Sequence, residues 1–207
     1  MSATSAPFGM RPAFHPSGLD RAQALANGIQ AVSTVGNVSA GYATTILKGQ
    51  PVKMNTAGYI EVAAAGDPLL GCFAGVEWTD ATGRRRVSNY WPANESFQVG
   101  SVIAYFYSDP AIVYEIQAAG SLTQAAIGDE FDLSNTTNGS TTTGLSQATL
   151  STTAAGAGNS AQMRVIDIAP YPDNAWGDNF VIVRAVIAEH QYGAIDVSGT
   201  DSYPVAI

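Results

Sequence analysis

Phe180-Val181-Ile182-Val183-Arg184-Ala185-Val186-Ile187 is apolar at odd and even positions alike, with Arg184 as its one charge. A strand wetted on one face alternates apolar and polar residues, so a run that is apolar on both faces predicts a strand covered on each side. Ser101-Val102-Ile103-Ala104-Tyr105-Phe106-Tyr107 has the same character. Both runs are rich in β-branched and aromatic residues, which pack well on a pleated surface and favour strand over helix. They are expected at the middle of the fold.

Working outward, short runs of this kind recur from Thr44 at 44–48, 51–54, 59–64, 69–78, 84–90, 111–117, 129–133, 145–150 and 161–169. Gly, Pro, Asp or Asn divides each from the next, the punctuation of an all-β domain. Asn55-Thr56-Ala57-Gly58, Asp80-Ala81-Thr82-Gly83 and Ser108-Asp109-Pro110 supply turn residues, and hairpins are predicted at all three. One helical turn is predicted over 121–127, capped by Ser121 and stopped by Gly128. Ser134 to Gly144 reads as a polar loop, with Leu145 to Leu150 an edge strand after it. The fold class expected is therefore all-β and mainly antiparallel, with a β-sandwich or β-barrel body.

The ends differ from this body. Residues 1–42 contain Pro7, Pro12 and Pro16 and no sustained strand or helix period, which predicts an extended N-terminal arm. Its aromatics cannot bury themselves locally, so Phe8, Met10 and Phe14 are expected to anchor on the body or on a neighbouring subunit. Residues 43–192 form the β-rich body, and 193–207 a C-terminal tail in which Tyr203 is a candidate contact.

Charge and composition exclude several functions. Seventeen acids against nine bases leave a net charge of −8, which offers no footprint for a phosphate backbone, so no nucleic-acid partner is expected. The first residues lack a basic and an apolar signal region, and no run is long enough for a membrane helix. A soluble protein made in a cytoplasm is expected, with no membrane partner. Cys72 is the one cysteine, set in an apolar run, and is expected to be a buried inert thiol.

Catalytic chemistry finds little support. The two histidines, His15 and His190, stand far apart in the chain, and no G-x-S-x-G elbow is present. Gly156-Ala157-Gly158-Asn159-Ser160-Ala161 has the glycine spacing of a dinucleotide loop, but a strand follows it where that motif needs a helix. Asp129, Glu130 and Asp132 with Asn135 and Asn138 do not match a calcium loop. No enzymatic activity, cofactor or metal is expected.

Arg84-Arg85-Arg86 holds three of the nine basic residues and alternates sides if extended. Two readings stand side by side: an edge strand protected by charge, or a docking patch for carboxylates on a partner. Trp91 lies close by and is a candidate contact with it.

Ala6-Pro7-Phe8-Gly9-Met10-Arg11-Pro12, Gly49-Gln50-Pro51-Val52-Lys53 and Leu70-Gly71-Cys72-Phe73-Ala74-Gly75-Val76-Glu77-Trp78 form the first half of a longer pattern. Ser108-Asp109-Pro110 with Tyr114-Glu115-Ile116-Gln117, Thr142-Thr143-Gly144-Leu145-Ser146, and Pro172-Asp173-Asn174 with His190-Gln191 complete it. In this order they resemble a family of tailed-phage structural proteins encoded beside the major capsid protein, the head decoration or capsid cement proteins. The resemblance spans roughly residues 5–192. It implies a non-catalytic subunit on the outer surface of an icosahedral bacteriophage head, bridging major capsid proteins. Seating at local three-fold positions makes a homotrimer the expected assembly, and the virion the expected location. Alternatives are a tail, neck or head-fibre component, or a host-glycan binding module, which would display exposed Trp or Tyr.

Overall fold

The computed structural model describes residues 4–18, 22–156 and 159–193. Strands are numbered in chain order. The first sheet runs β1 (Arg11–Phe14), β11 (Val113–Gln117), β17 (Ile182–Ile187), β16 (Met163–Ile168), β12 (Glu130–Ser134) and β15 (Thr149–Ala154). The second runs β2 (Gln23–Ala26), β10 (Ile103–Tyr107), β7 (Gly71–Thr79), β5 (Pro51–Met54) and β6 (Ile60–Val62), with β8 (Arg85–Ser88) paired to β7. A three-stranded sheet joins β3 (Ala31–Val35), β4 (Val38–Gly41) and β9 (Ser96–Gln98), and a small ribbon joins β13 (Gly139–Ser140) to β14 (Leu145–Ser146). Every strand pair in these sheets is antiparallel. The body is a layered, sandwich-like all-β fold, and in the first sheet Leu150 of β15 also bridges Ala118, just past β11. Among the described residues no helix is long and apolar enough to cross a membrane.

Two apolar clusters lie against these sheets. One gathers Tyr114, Ile116, Leu133, Met163, Val165 and Val183 of the first sheet. The other gathers Phe73, Val76, Trp78, Ala104 and Phe106 of the second, with Trp91 and Phe97. Cys72 belongs to the first cluster and its neighbour Phe73 to the second. Successive strand residues point to opposite faces, so β7 lies between the two cores and holds the layers together.

Strands expected from Thr44 onward form at the expected places, apart from 44–48, which makes only single bridges at Ile46 and Lys48, and 145–150, which is divided between the ribbon strand Leu145–Ser146 and Thr149–Ala154 of the first sheet. Three expectations need correction. β10 and β17 are interior strands, but each alternates buried and half-buried residues; β11 is the strand buried along its whole length. Its polar residues are covered by partners distant in sequence: Gln117 bonds Thr4 and Ala6, and Glu115 meets Arg11, Tyr171 and Arg184. Hairpins form at Asn55–Gly58 and Asp80–Gly83, whereas Ser108-Asp109-Pro110 carries the chain from β10 in one sheet to β11 in the other. Turn residues set a bend without setting which strands then pair. The helical turn is a short 3-10 segment, Gln124–Ala126, with no side-chain cap from Thr123, the residue before it.

The segment 1–42, read above as an arm, contributes four strands to the sheets, so paired structure begins at Arg11. β1 to β3 are almost entirely exposed, and β4 alternates half-buried and buried residues. Outer strands of this kind need no apolar alternation, so no period marks them; backbone pairing alone holds them in register. Close approach also matters: Met10 N–H donates to Gly49 O at 2.8 Å, and a Cβ on Gly9, at φ +74°, would lie 2.4 Å from that oxygen. The tail from residue 194 lies outside the described residues.

Candidate functional site

The sequence singles out the arginine run, and the structure places it on the β7–β8 hairpin. Asp80 organises the turn. Its Oδ1 accepts the Thr82 N–H at 2.9 Å, the Thr82 hydroxyl at 2.6 Å and the Arg84 N–H at 3.0 Å, and its Oδ2 accepts the Arg86 Nε–H at 2.8 Å. The Thr82 hydroxyl first, and then the Arg84 amide, hold this carboxyl far below its ordinary value of 3.8.

That shift has a sign. A carboxyl depressed in the folded state contributes stability fully above its unfolded value, and loses the contribution as pH falls from there toward the folded value. Asp80→Asn is therefore expected to lower the denaturation midpoint at pH 7. The difference from the parent should shrink as pH drops below 3.8, the unperturbed value. Urea titrations of both proteins across pH check this; a difference that grows in acid would refute the assignment.

The β7–β8 register pairs Val87 with Glu77, Trp78 with Arg86 and Thr79 with Arg85. Arg85 and Val87 thus share the face of Glu77, and Arg86 the face of Trp78. Arg85 Nη2 lies 2.7 Å from Glu77 Oε2, and Tyr105 donates its hydroxyl to Glu77 Oε1 at 3.1 Å. The Arg85 hydrogen bond pulls the Glu77 carboxyl down, and the bond to Glu77 raises the Tyr105 hydroxyl. Two of the three arginines therefore have carboxylates on their own hairpin. Among the described residues the Arg84 guanidinium has no ionic partner. On the other face of the strand from Arg84, Val87 is 75% exposed, and β8 has β7 on one side only. The edge thus joins free positive charge, exposed apolar surface and unpaired backbone. The sequence marks Asp80 as a turn residue but neither it nor Glu77 as a partner of the arginines, although counting register outward from the turn leads to both.

The other sequence candidates scatter. Met10 and Trp91 are fully buried: Met10 anchors on the body, in the first core, and Trp91 belongs to the second core and not to the exposed surface. Apolar volume and, for Trp91, an Nε1–H donating to Tyr42 O at 3.1 Å make them core residues. Phe8 is half-buried, with the Arg11 guanidinium 4.7 Å from its ring centroid. Phe14 is 55% exposed. Tyr203 lies outside the described residues. A glycan-binding face would display exposed Trp, but Trp78 and Trp91 are buried and Trp176 packs against the first core.

Two polar clusters have a structural explanation. Glu115 is buried among Arg11, Arg184 and the Tyr171 hydroxyl at 2.6 Å; burial raises its carboxyl, these donors outweigh that, and it ends below its usual range. This cluster fastens β1 and the loop after β16 to the outer face of β11. Both histidines, remote in sequence, meet at the Ser108-Asp109 turn. His15 Nε2 is 3.0 Å from Asp109 Oδ2, and its Nδ1 meets the Ser17 hydroxyl at 2.6 Å. The Ala111 amide chiefly holds the Asp109 carboxyl low, and burial pushes the His190 imidazole down against the pull of Asp109. The turn thus ties the ends of β1 and β17 together.

No protein-family model matches this chain, and no curated protein or solved structure is significantly similar to it.

Proposed function

We propose that this protein is a structural subunit of a tailed-phage head, a cement or decoration protein that binds the outside of the shell and bridges major capsid proteins. It is made in the host cytoplasm and assembles as a homotrimer on the virion. The ordered motifs quoted above support the reading, and one structural observation supports it best: the β8 edge. Natural edge strands are blunted by charge against chance pairing. On β8, Arg85 and Arg86 are spent on Glu77 and Asp80, while Arg84 and Val87 stay available to an outside surface. A partner offering carboxylate and apolar side chains would complete them.

The test separates docking from edge protection. Arg84→Gln and Val87→Asn, which leave both intramolecular ion pairs in place, are combined and assayed for occupancy on particles across a salt series. An interface charge pair contributes about 0.2–1 kcal/mol when exposed and about 2–5 kcal/mol when desolvated, so occupancy should fall about tenfold or more at low salt. A folded double variant that decorates particles as tightly as the parent would remove this edge from the contact. The buried state of Trp78 and Trp91 weighs against the glycan-binding alternative.

A further inference from the structure

A second edge is built differently. Among the described residues β3 pairs with β4 alone, and all five of its positions are exposed, Val32 at 63% and Val35 at 84%. From Ala22 to Leu47 the sequence contains no Asp, Glu, Lys, Arg or Pro. The charges that blunt natural edges, and that β8 carries as Arg85 and Arg86, are therefore missing here. The one irregularity lies at the start of the strand, where the register to β4 shifts between Ala31 and Ser33; Ser33, Thr34 and Val35 pair regularly. Beside the edge lies a groove of about 240 Å³, lined by Ala31, Thr34, Phe97 and Val99 among others, which has room for a side chain of an added strand.

The register shows which backbone groups of this edge are free. On the far side of β4, the Val99 N–H donates to Asn37 O at 3.1 Å and the Gly41 N–H to Glu95 O at 3.0 Å. Odd-numbered residues of β4 thus bond β9, which leaves Val38 and Ala40 to bond their β3 partners Val35 and Ser33. Thr34 and Ser39 are then a non-hydrogen-bonded pair, the kind whose side chains stand closest, and their hydroxyls meet at 2.7 Å. The N–H and C=O of Thr34 therefore point away from β4, out of the open edge. Charge decides what comes to meet them. At a net −8, copies of this chain repel one another wherever their charged surfaces face, and the uncharged β3 edge is a place where two can meet without that cost. A charged segment of another protein finds nothing here to pair with. A second copy of β3 matches in backbone as well: about a two-fold axis at Thr34, the outward N–H of each strand faces the outward C=O of the other, and Ser33 lies opposite Val35 of the second copy.

We propose that β3 pairs antiparallel with β3 of a second copy of this chain, about a two-fold axis at Thr34, joining the two β3-β4-β9 sheets into one. The pairing satisfies the outward backbone of Thr34 in both copies and covers Val35. It uses a different edge from β8 and does not rest on the shell-binding reading. A two-fold contact joins two chains, or two trimers where the three-fold assembly also forms.

Sedimentation velocity on the full chain, at the highest concentration at which it stays soluble, tests the contact by comparing the parent with Val35→Lys and Thr34→Pro. Val35 is 84% exposed, so a lysine there leaves the free chain folded and places like charges face to face across the axis. Thr34→Pro deletes a donor that β4 does not use, and an edge strand tolerates Pro at such a position. The parent should sediment at twice the mass of the lysine variant: two chains against one, or six against three where the three-fold assembly forms as well. The factor of two reads the β3 contact and the factor of three the trimer, so either can fail alone. A parent of one or three chains would overturn the proposal and leave the edge to a different protein. A parent of two or six chains whose mass the lysine leaves unchanged would overturn it too, by placing the contact elsewhere.

Discussion

Replacing Trp91 by Ala is expected to destabilise the free chain by about 3–5 kcal/mol, the usual cost of emptying a buried aromatic site. Trp91 is fully buried and meets two aromatic rings edge-on, Trp78 at 5.6 Å and Phe97 at 5.9 Å between centroids. Its site is also shaped by a strand distant in sequence: a Cβ on Gly41, at the end of β4, would come within 2.3 Å of the Trp91 ring. Truncation leaves a cavity that the surrounding sheets cannot collapse into, and it strands the Tyr42 carbonyl that accepted the indole N–H. Two-state urea denaturation at neutral pH measures the loss. Trp91→Phe should recover part of it, because the ring contacts return without the hydrogen bond. A Trp91→Ala protein of parental stability that binds particles poorly would show the opposite, a contact residue in place of a core one.

Gly71→Ala should be comparably severe for a different reason. Gly71 has φ +150°, and a Cβ there would lie 1.7 Å from the Tyr107 carbonyl oxygen and 2.8 Å from its carbon. These are backbone atoms at the end of the β7–β10 ladder, where Tyr107 pairs with Cys72, so neither strand can withdraw without opening the seam between the two cores. Overpacking of about 1–3 kcal/mol and a disfavoured backbone of about 1–3 kcal/mol together amount to a large share of a domain's stability of roughly 5–15 kcal/mol. Soluble yield and denaturation midpoint are the readouts, with Gly58→Ala as control. Gly58 also has positive φ, +82°, but its added Cβ meets nothing within 4 Å. The control should lose only the backbone cost. Equal losses in the two variants would show that the close approach to Tyr107 is relaxed.

Both residues illustrate what was legible. The apolar run around Gly71 announces a strand, and β7 forms there; that its glycine is needed for contact with a strand about thirty residues on depends on the β7–β10 register. Trp91 was read as a neighbour of the arginines and hence as a contact, which is true of the chain and false of the molecule. The hairpin turns β8 outward, while Trp91 bridges to Ile46 and packs inward.

The sequence by itself determined the all-β class, most strands after Thr44, and the hairpins at Asn55–Gly58 and Asp80–Gly83, because each depends on residues within a few positions of one another. Its charge pattern also marked the arginine run. Only the tertiary structure decided that β1 to β4 join the sheets, that Glu77 and Asp80 neutralise Arg85 and Arg86, and that both histidines lie at the Ser108-Asp109 turn. The physical reason is common to all of these. Apolar alternation and turn chemistry are local, whereas backbone pairing between outer strands and ion pairing across a hairpin depend on register, which is set when the sheets bury their shared cores.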